Sequence, residues 1–420
     1  MRKQTKNTFV LSDPSEILEA LVGLKDVRVL HYERSGPDVS LVIEQVLDEI
    51  RCPRCDQRAQ IKERPIVSYV DLPVYGFPMR LSWKKHRMKC VNDVCAKRTW
   101  VMSDHRIAAK DCLLTTRAAK WATRQVGYGR TVKEVAGELD CDWHTVNDAV
   151  TTYGAALLAN DRQRVVHTHA IGLDETNFVR LKDQRTSYAT TVCDVANRAV
   201  IDIVPTRLEE VAGFLERQPS HWKAAITVGT LDMSSTYAAV FSVILPRATQ
   251  VVDPFHLVKL ANGALDGVRR RVQVQQLGHR GRRDDPLYRA RRLLLRGEER
   301  LDEHATQRLS SLLALGDPHA EVAIAYRIKE RVRDFYRTPD PDEARAILED
   351  LMSHCLKKAM PPEIQKFGRT IRTWFDKICH FHLTRLSNGP TESINNLIKR
   401  IKRIGFGFRN FENYRIRALL

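Results

Sequence analysis

Residues 167–178 read HTHAIGLDETNF, and four further short runs follow: SYATTVCDV (187–195), RAVIDIVP (198–205), AAITVGTLD (224–232) and ATQVVD (248–253). Each is apolar or alternating and bounded by turn residues, as strands are. Helical spacing near 208–217 and 234–243 separates the last three. Strands and helices in this order predict an α/β sheet. Asp174 and Asp232 are read as ending the first and fourth strands, the favoured place for ligands in open α/β sheets. An Asp at a strand end is also a common turn former.

Outward from this sheet, 112–153 reads as helices, and 256–385 as almost wholly helical and Arg-rich. Residues 14–24 have helical spacing, and 26–48 alternate on both sides of Ser35-Gly36-Pro37, which reads as a hairpin. No repeat, Pro-rich linker or low-complexity tract appears.

The chain has 420 residues and carries 68 Lys+Arg against 51 Asp+Glu, a net +17. Hydrophobic residues make up 43%, which rules out wholesale disorder. The positive balance points to an anionic partner, most often nucleic acid. The start does not read as a signal peptide, and no apolar stretch is long enough to span a membrane. Nine Cys, an odd number, in a chain read as unexported argue against a disulfide framework and for a reducing cytoplasm.

Cys52-Pro-Arg-Cys55 and Cys90-x4-Cys95 carry the spacing of a structural zinc site, four thiolates around one tetrahedral Zn²⁺ in a β-rich zinc ribbon. His86 and His105 are alternative ligands. Lys84, Lys85, Arg87 and Lys89, on the strand-like LSWKKHRMKC (81–90), either touch phosphate or form a solvated face.

Thr131-Val-Lys-Glu134 is a capping box opening VKEVAGEL, and Asp140-Cys141-Asp142 separates it from WHTVNDAVTTYG. The pair reads as a helix-turn-helix with Trp143, His144, Thr145 and Asn147 outward on the second helix, where base edges are read. An ordinary helical hairpin has the same pattern.

Near the end stands SNGPTESINNLIKRIKRIGFGFRNF (387–411). Pro390 reads as the first helical residue and Glu392 as a first-turn acid, a favourable position against the helix dipole in its own right. Asn395 and Lys399 share its face, and Lys399, Arg400, Lys402, Arg403 and Arg409 make a basic end. Phe406, Phe408 and Phe411 are either stacking residues or core aromatics.

Together these motifs resemble the DDE transposases of insertion sequences, closest to the ISL3 family. The residues that carry the likeness are the cysteine pairs with YVDLPVYG between them, the helix-turn-helix, IGLDETNF, LDMSSTYAAVFSVILPRATQVVDPFHLVK and NGPTESINNLIKRIKRIGFGFRNFENYRIR. The resemblance covers about 45–420. The resemblance implies a ribonuclease-H-like catalytic core split by a helical insertion, and the 160 positions between Asp232 and Glu392 (392 minus 232) agree with that. It also implies an acidic triad of Asp174, Asp232 and Glu392 on two Mg²⁺ or Mn²⁺ ions, with water and then a DNA 3′-hydroxyl as nucleophiles. Asp253, His256 and Asn395 are expected in support, with Asp253 ranked below Asp232 because the fifth strand lies one place further from the first.

The expected architecture is multidomain α+β. Residues 1–110 hold the zinc ribbon, 111–160 the helix-turn-helix, 161–260 the first part of the core, 261–385 the insertion and 386–420 the core helix with the Glu. In the insertion, Arg269 and Arg270 are candidates to grip DNA, the alternatives being burial against a second protomer and a solvated basic helix. Expected partners are double-stranded DNA, as terminal inverted repeats and target, and further copies in a homodimer or synaptic complex, at the bacterial nucleoid in the cytoplasm. The alternative functions are a non-catalytic, sequence-specific DNA-binding regulator and a structure-specific nuclease.

Overall fold

A computed structural model describes residues 13–161, 168–180 and 186–420. Residues 1–12, read above for an export signal, and His167 at the head of HTHAIGLD lie outside the described residues. The chain divides into two compact units: Met1–Asp161 with Arg400–Leu420, and Arg162–Lys399.

In the first unit, α1 (Pro14–Val22) starts on Asp13, whose carboxylate accepts from Ser15 and Glu16 N–H. The strands are β1 (Val27–Ser35), β2 (Asp38–Gln45), β3 (Ala59–Glu63), β4 (Ile66–Val74), β5 (Phe77–Lys84), β6 (Arg87–Cys90) and β7 (Thr99–Val101). They form a four-stranded sheet, β1-β2-β5-β4, and a three-stranded sheet, β3-β6-β7. Alternation decides which face is covered: Val39, Leu41 and Ile43 of β2 and Met79, Leu81 and Trp83 of β5 all point inward. Each such burial contributes about 1.5–3 kcal/mol.

LSWKKHRMKC is therefore not one strand. It breaks at Lys85–His86, and its halves join different sheets. Likewise YVDLPVYG belongs to the four-stranded sheet and not to the sheet beside the cysteines. Asp71 within it is fully buried, where Thr115 Oγ1 (2.6 Å) and Arg117 Nε (2.8 Å) donate to it and tie β4 to the next helix.

That helix, α2 (Thr116–Gly127), packs with α3 (Val132–Glu138) and α4 (Trp143–Asn160) around Ala118, Ala122, Val135, Leu139, Val146 and Val150. The capping box at Thr131–Glu134 is formed, and Asp142 caps α4.

In the second unit, β8 (Ala170–Arg180), β9 (Thr186–Asp194), β10 (Ala199–Pro205), α5 (Leu208–Glu216), α6 (Ser220–Ala225), β11 (Val228–Leu231), α7 (Ser235–Ile244) and β12 (Thr249–Val252) follow one another. The sheet order is β10-β9-β8-β11-β12, with β9 antiparallel to its neighbours and β11 parallel to both β8 and β12. The first and fourth strands of this sheet are thus adjacent.

Helices α8 (Pro254–Leu277), α9 (Pro286–Leu294), α10 (Glu303–Gly316), α11 (Glu321–Arg337), α12 (Pro341–Cys355) and α13 (Pro362–Thr384) come next. Helix α8 packs on α11 and α13, and α13 returns to the sheet against β12, where His380 Nδ1 meets Gln250 O at 2.9 Å. Then come α14 (Gly389–Ile404) and α15 (Phe411–Leu419).

Residues 386–420, expected as one piece of the core, fall into both units, the division lying between Lys399 and Arg400. The physical reason is α15, which packs on α4. A Cβ at Gly154 would lie 2.6 Å from Ile416 and 3.1 Å from Leu420, so only glycine admits the approach.

Candidate active site

Asp174 does not end its strand. Strand β8 continues to Arg180 because β9 pairs with it beyond the point where β11 stops. The last β8–β11 pair is Leu173 with Leu231, so Asp174 and Asp232 stand side by side, each one residue past that pair. Extended geometry sends Asp174 and Glu175 to opposite faces. Glu175 accepts from Tyr237 Oη at 3.0 Å on the α7 side. Asp174 faces α14, where Asn395 Nδ2 donates to its Oδ2 at 2.6 Å, and Glu175 N–H donates to its Oδ1 at 2.8 Å. Burial pushes the Asp174 carboxyl above the ordinary range, and the Asp232 charge adds to the rise.

Asp232 Oδ1 is buried without a hydrogen-bond partner, while Oδ2 meets His256 Nε2 at 2.9 Å. His256 lies in the first turn of α8, and its Nδ1 is 3.2 Å from Asp253 Oδ2. The hydrogen bonds that its ring N–H groups donate to the two carboxylates push the imidazole up to about 10, so at neutral pH it is an imidazolium between them. Asp253 is itself buried, and its Oδ1 accepts from Asn388 N–H at 3.0 Å.

Asn388 fixes the start of α14 on the sheet. Its Oδ1 accepts from Thr230 Oγ1 at 3.1 Å, and its backbone O accepts from Glu392 N–H at 3.0 Å. A Cβ on Gly172 would come within 2.5 Å of Asn388 Oδ1 and Thr391 Oγ1, so a bare strand is what lets the two segments meet. Helix α14 begins at Gly389, one residue earlier than expected. Glu392 is exposed in its first turn, and Asn395 is buried, also accepting from Thr191 Oγ1 at 2.6 Å.

The first two acids are thus neighbours across the β8–β11 pair, and Glu392 does not join them in a group of three ligand atoms within 4.8 Å among the described residues. Among the described residues, the single group of three or more Cys, His, Asp or Glu ligand atoms within 4.8 Å of one another is Cys52, Cys55, Cys90 and Cys95. Its thiols pair at 3.9 Å (Cys52–Cys95) and 3.5 Å (Cys55–Cys90). These separations are close to the ~3.8 Å between ligands of a tetrahedral ion with ~2.3 Å metal–sulfur bonds. Burial and the neighbouring thiols push Cys90 up to about 12. Burial acts upward on Cys52 too, yet N–H donors of Arg54 and Cys55 bring it to about 7. The cluster can hold a metal ion such as zinc. His86 and His105 are outside it: His86 Nε2 meets Glu44 at 3.0 Å, and His105 is exposed.

A family model described as "Transposase", that of the ISL3-type DDE enzymes, matches residues 171–418. The chain belongs to the ISL3 family of DDE transposases. Its relatives include the transposase for insertion sequence element IS1001 of Bordetella parapertussis, 28% identical over 96% of this chain and 97% of that protein. The transposase for IS1557 of Mycobacterium tuberculosis is 27% identical over 64% of this chain and 63% of its own length. The family match opens one residue into β8 and closes within α15, so it includes all three acids and the helices between them.

The basic residues of this family member divide sharply. Arg269 is only 6% exposed, held by Asp266 (2.9 Å) and Gln273 (3.0 Å), so it is not placed to meet DNA as expected. Arg270 pairs with Asp266, and Arg271 with Glu363 and Glu321. Lys85 lies 4.5 Å over the Trp83 ring, Arg87 pairs with Glu63 at 2.6 Å, and Lys84 is half-buried. By contrast Arg400, Arg403 and Arg409 are exposed, and no carboxylate pairs with them among the described residues. Trp143 and His144 are exposed and stacked at 4.3 Å, and Thr145 and Asn147 are half-buried behind them.

No described helix is long and apolar enough to cross a membrane. Asn388 and Thr191 were not singled out from sequence. Asn388 stands in the NGPTE block directly before the first residue of α14, where an Asn is a favoured cap.

Proposed function

We propose that this chain binds the terminal inverted repeats of its insertion sequence and cuts and joins DNA strands at Asp174, Asp232 and Glu392. The observation that carries the reading is the adjacency of Asp174 and Asp232 past the last β8–β11 pair, with Asp232 Oδ1 buried and unpartnered. A buried anionic oxygen without a donor is costly, and a cation would satisfy it. Carboxylate oxygens are hard donors, which fits Mg²⁺ or Mn²⁺. Two such ions, when bound, supply charge to the attacking and leaving oxygens of an in-line displacement.

The chain's own residues prepare that site. Asn395 and the Glu175 N–H fix both oxygens of Asp174, so its orientation is set before DNA arrives. His256 holds its protons at Nδ1 and Nε2, directs one to Asp253 and one to Asp232 Oδ2, and offsets one of the two negative charges, which leaves Asp232 Oδ1 for a cation. Asn388 anchors α14 so that Glu392 is carried on the helix that already holds Asp174. No protein nucleophile is assigned.

The strand order β10-β9-β8-β11-β12 supports a ribonuclease-H-like core, with α8–α13 as its helical insertion. α3 and α4 act as the helix-turn-helix, with Trp143, His144, Thr145 and Asn147 towards base edges and Lys399, Arg400, Lys402 and Arg403 towards phosphate. One structural Zn²⁺ on the four cysteines holds the β3-β6-β7 module together. Two ends must be joined, so a homodimer or larger synaptic complex acts in the cytoplasm, at the nucleoid.

The second reading, a non-catalytic DNA-binding regulator, is favoured by the exposed position of Glu392. Metal-dependent nicking of a labelled terminal repeat by the purified chain separates the two, since a regulator leaves the DNA intact.

A further inference from the structure

Between the starts of α3 and α4 and the segment 404–417 runs a groove of about 1200 Å³, all within the first unit. Three residues of its wall, Phe406, Arg417 and Arg409, leave a ring or a charge that the fold does not satisfy. Phe406 is 93% exposed and its φ is +52°, a region bulky side chains avoid, so neither burial nor backbone preference favours phenylalanine there. Its neighbours behave otherwise: Phe408 is buried with its ring 5.5 Å from that of Tyr414. Arg417 lies over Phe408 with its Nε buried and unbonded, and among the described residues no carboxylate pairs with it. A half-buried guanidinium without a counter-charge is poised for an anion brought from outside. Arg409 lines the same groove, exposed and with no carboxylate partner among the described residues, and Trp143 and Asn147 form the opposite wall.

We propose that segment 404–417 is part of the DNA-reading surface: duplex DNA seats in this groove with Phe406 wedged at a base step beside the one read by α4, and with Arg417 and Arg409 on backbone phosphates. The inference rests on the end-binding reading above and adds an element to it. Charge selects the occupant: the wall carboxylates Glu134 and Asp142 are taken up capping α3 and α4, which leaves Arg417 and Arg409 as the groups free to meet a ligand, and the duplex is a polyanion. Apolar wedges at base steps kink DNA and expose further backbone to basic side chains.

The test uses the full chain and a short duplex carrying the inverted repeat that brackets its gene. Affinity is measured by fluorescence anisotropy across a salt series, and bending by energy transfer between end-labelled dyes. Wild type should bend the duplex. Phe406→Ala should straighten it and weaken binding by about tenfold, the range of one base-level contact. Arg417→Met should flatten the slope of log affinity against log salt by ~1. If Arg417→Met does not fold, the exposed Arg409→Ala carries the same readout.

A Phe406→Ala protein with wild-type bend and affinity overturns the proposal, as does an unchanged salt slope in the arginine variant. Loss of self-association with DNA binding unchanged assigns the groove to a second copy, and also overturns it. Trp143→Ala with Asn147→Ala keeps the two readings apart. If that double variant loses end preference while the groove variants match wild type, end binding stands and this inference falls. If wild type shows no preference for the end, the end-binding reading itself fails.

Discussion

Asn395 and Asp174, 221 positions apart in sequence, are joined by a 2.6 Å hydrogen bond from Nδ2 to Oδ2. The other end of the same amide accepts from Thr191 on β9. Because the amide is gripped on both sides and buried, it acts as a strut between the sheet and the helix that carries Glu392. Position and ionisation of Asp174 are thereby coupled to α14, and the donated hydrogen bond favours the carboxylate against the rise that burial imposes.

Asn395→Ala removes this donor and leaves every acid in place. Strand cleavage should fall ~10–100-fold, as for partners that orient metal-holding carboxylates. Binding of terminal-repeat DNA should match wild type. Raising the Mg²⁺ concentration should recover part of the loss, which a titration of cleavage rate against metal will read.

The cysteine cluster gives a separable prediction. Treating the protein with a thiol-blocking mercurial and a colorimetric chelator should release one Zn²⁺ per chain. Cys55→Ser should carry none and should melt at lower temperature, because the thiols and Trp100 cluster together beside the β3-β6-β7 sheet and lose their common tie without the ion.

Acid sensitivity should come in part from Asp104. Hydrogen bonds from Arg106 hold its carboxyl below the ordinary 3.8, and Gln45 adds another at 2.8 Å. A depressed folded pKa contributes stability that is present above the unfolded value and is lost as pH falls through the folded one. Asp104→Asn should therefore be less stable than wild type at pH 7. The gap in melting temperature should close as pH drops below about 4, seen by thermal melts across a pH series.

Much of this arrangement was legible in the sequence where the cause is local. The capping box at Thr131–Glu134, the two cysteine pairs and the apolar run before Asp232 each declare their geometry within a few residues. What escaped depends on partners far along the chain. Asp174 read as a strand end because nothing in HAIGLDETNF says that β9 goes on pairing where β11 stops. Arg269 read as a DNA contact because a run of arginines does not disclose the Asp266 and Gln273 that hold it, or the burial around it. Residues 400–420 read as part of the core because the fit of Ile416 and Leu420 against Gly154 joins surfaces about 260 positions apart. The three phenylalanines of GFGFRNF could not be told apart until the left-handed turn at Phe406 put that ring in solvent and Phe408 inside.

The central claim is that Asp174, Asp232 and Glu392 do one job, cutting and joining, distinct from holding the DNA. The most direct measurement follows cleavage and binding of one labelled terminal-repeat duplex, in Mg²⁺, by Asp174→Ala, Asp232→Ala and Glu392→Ala in parallel. The prediction is that each variant leaves the duplex uncut and binds it as tightly as wild type. Nicking at the wild-type rate by any one of the three, and above all by Glu392→Ala, would contradict the assignment.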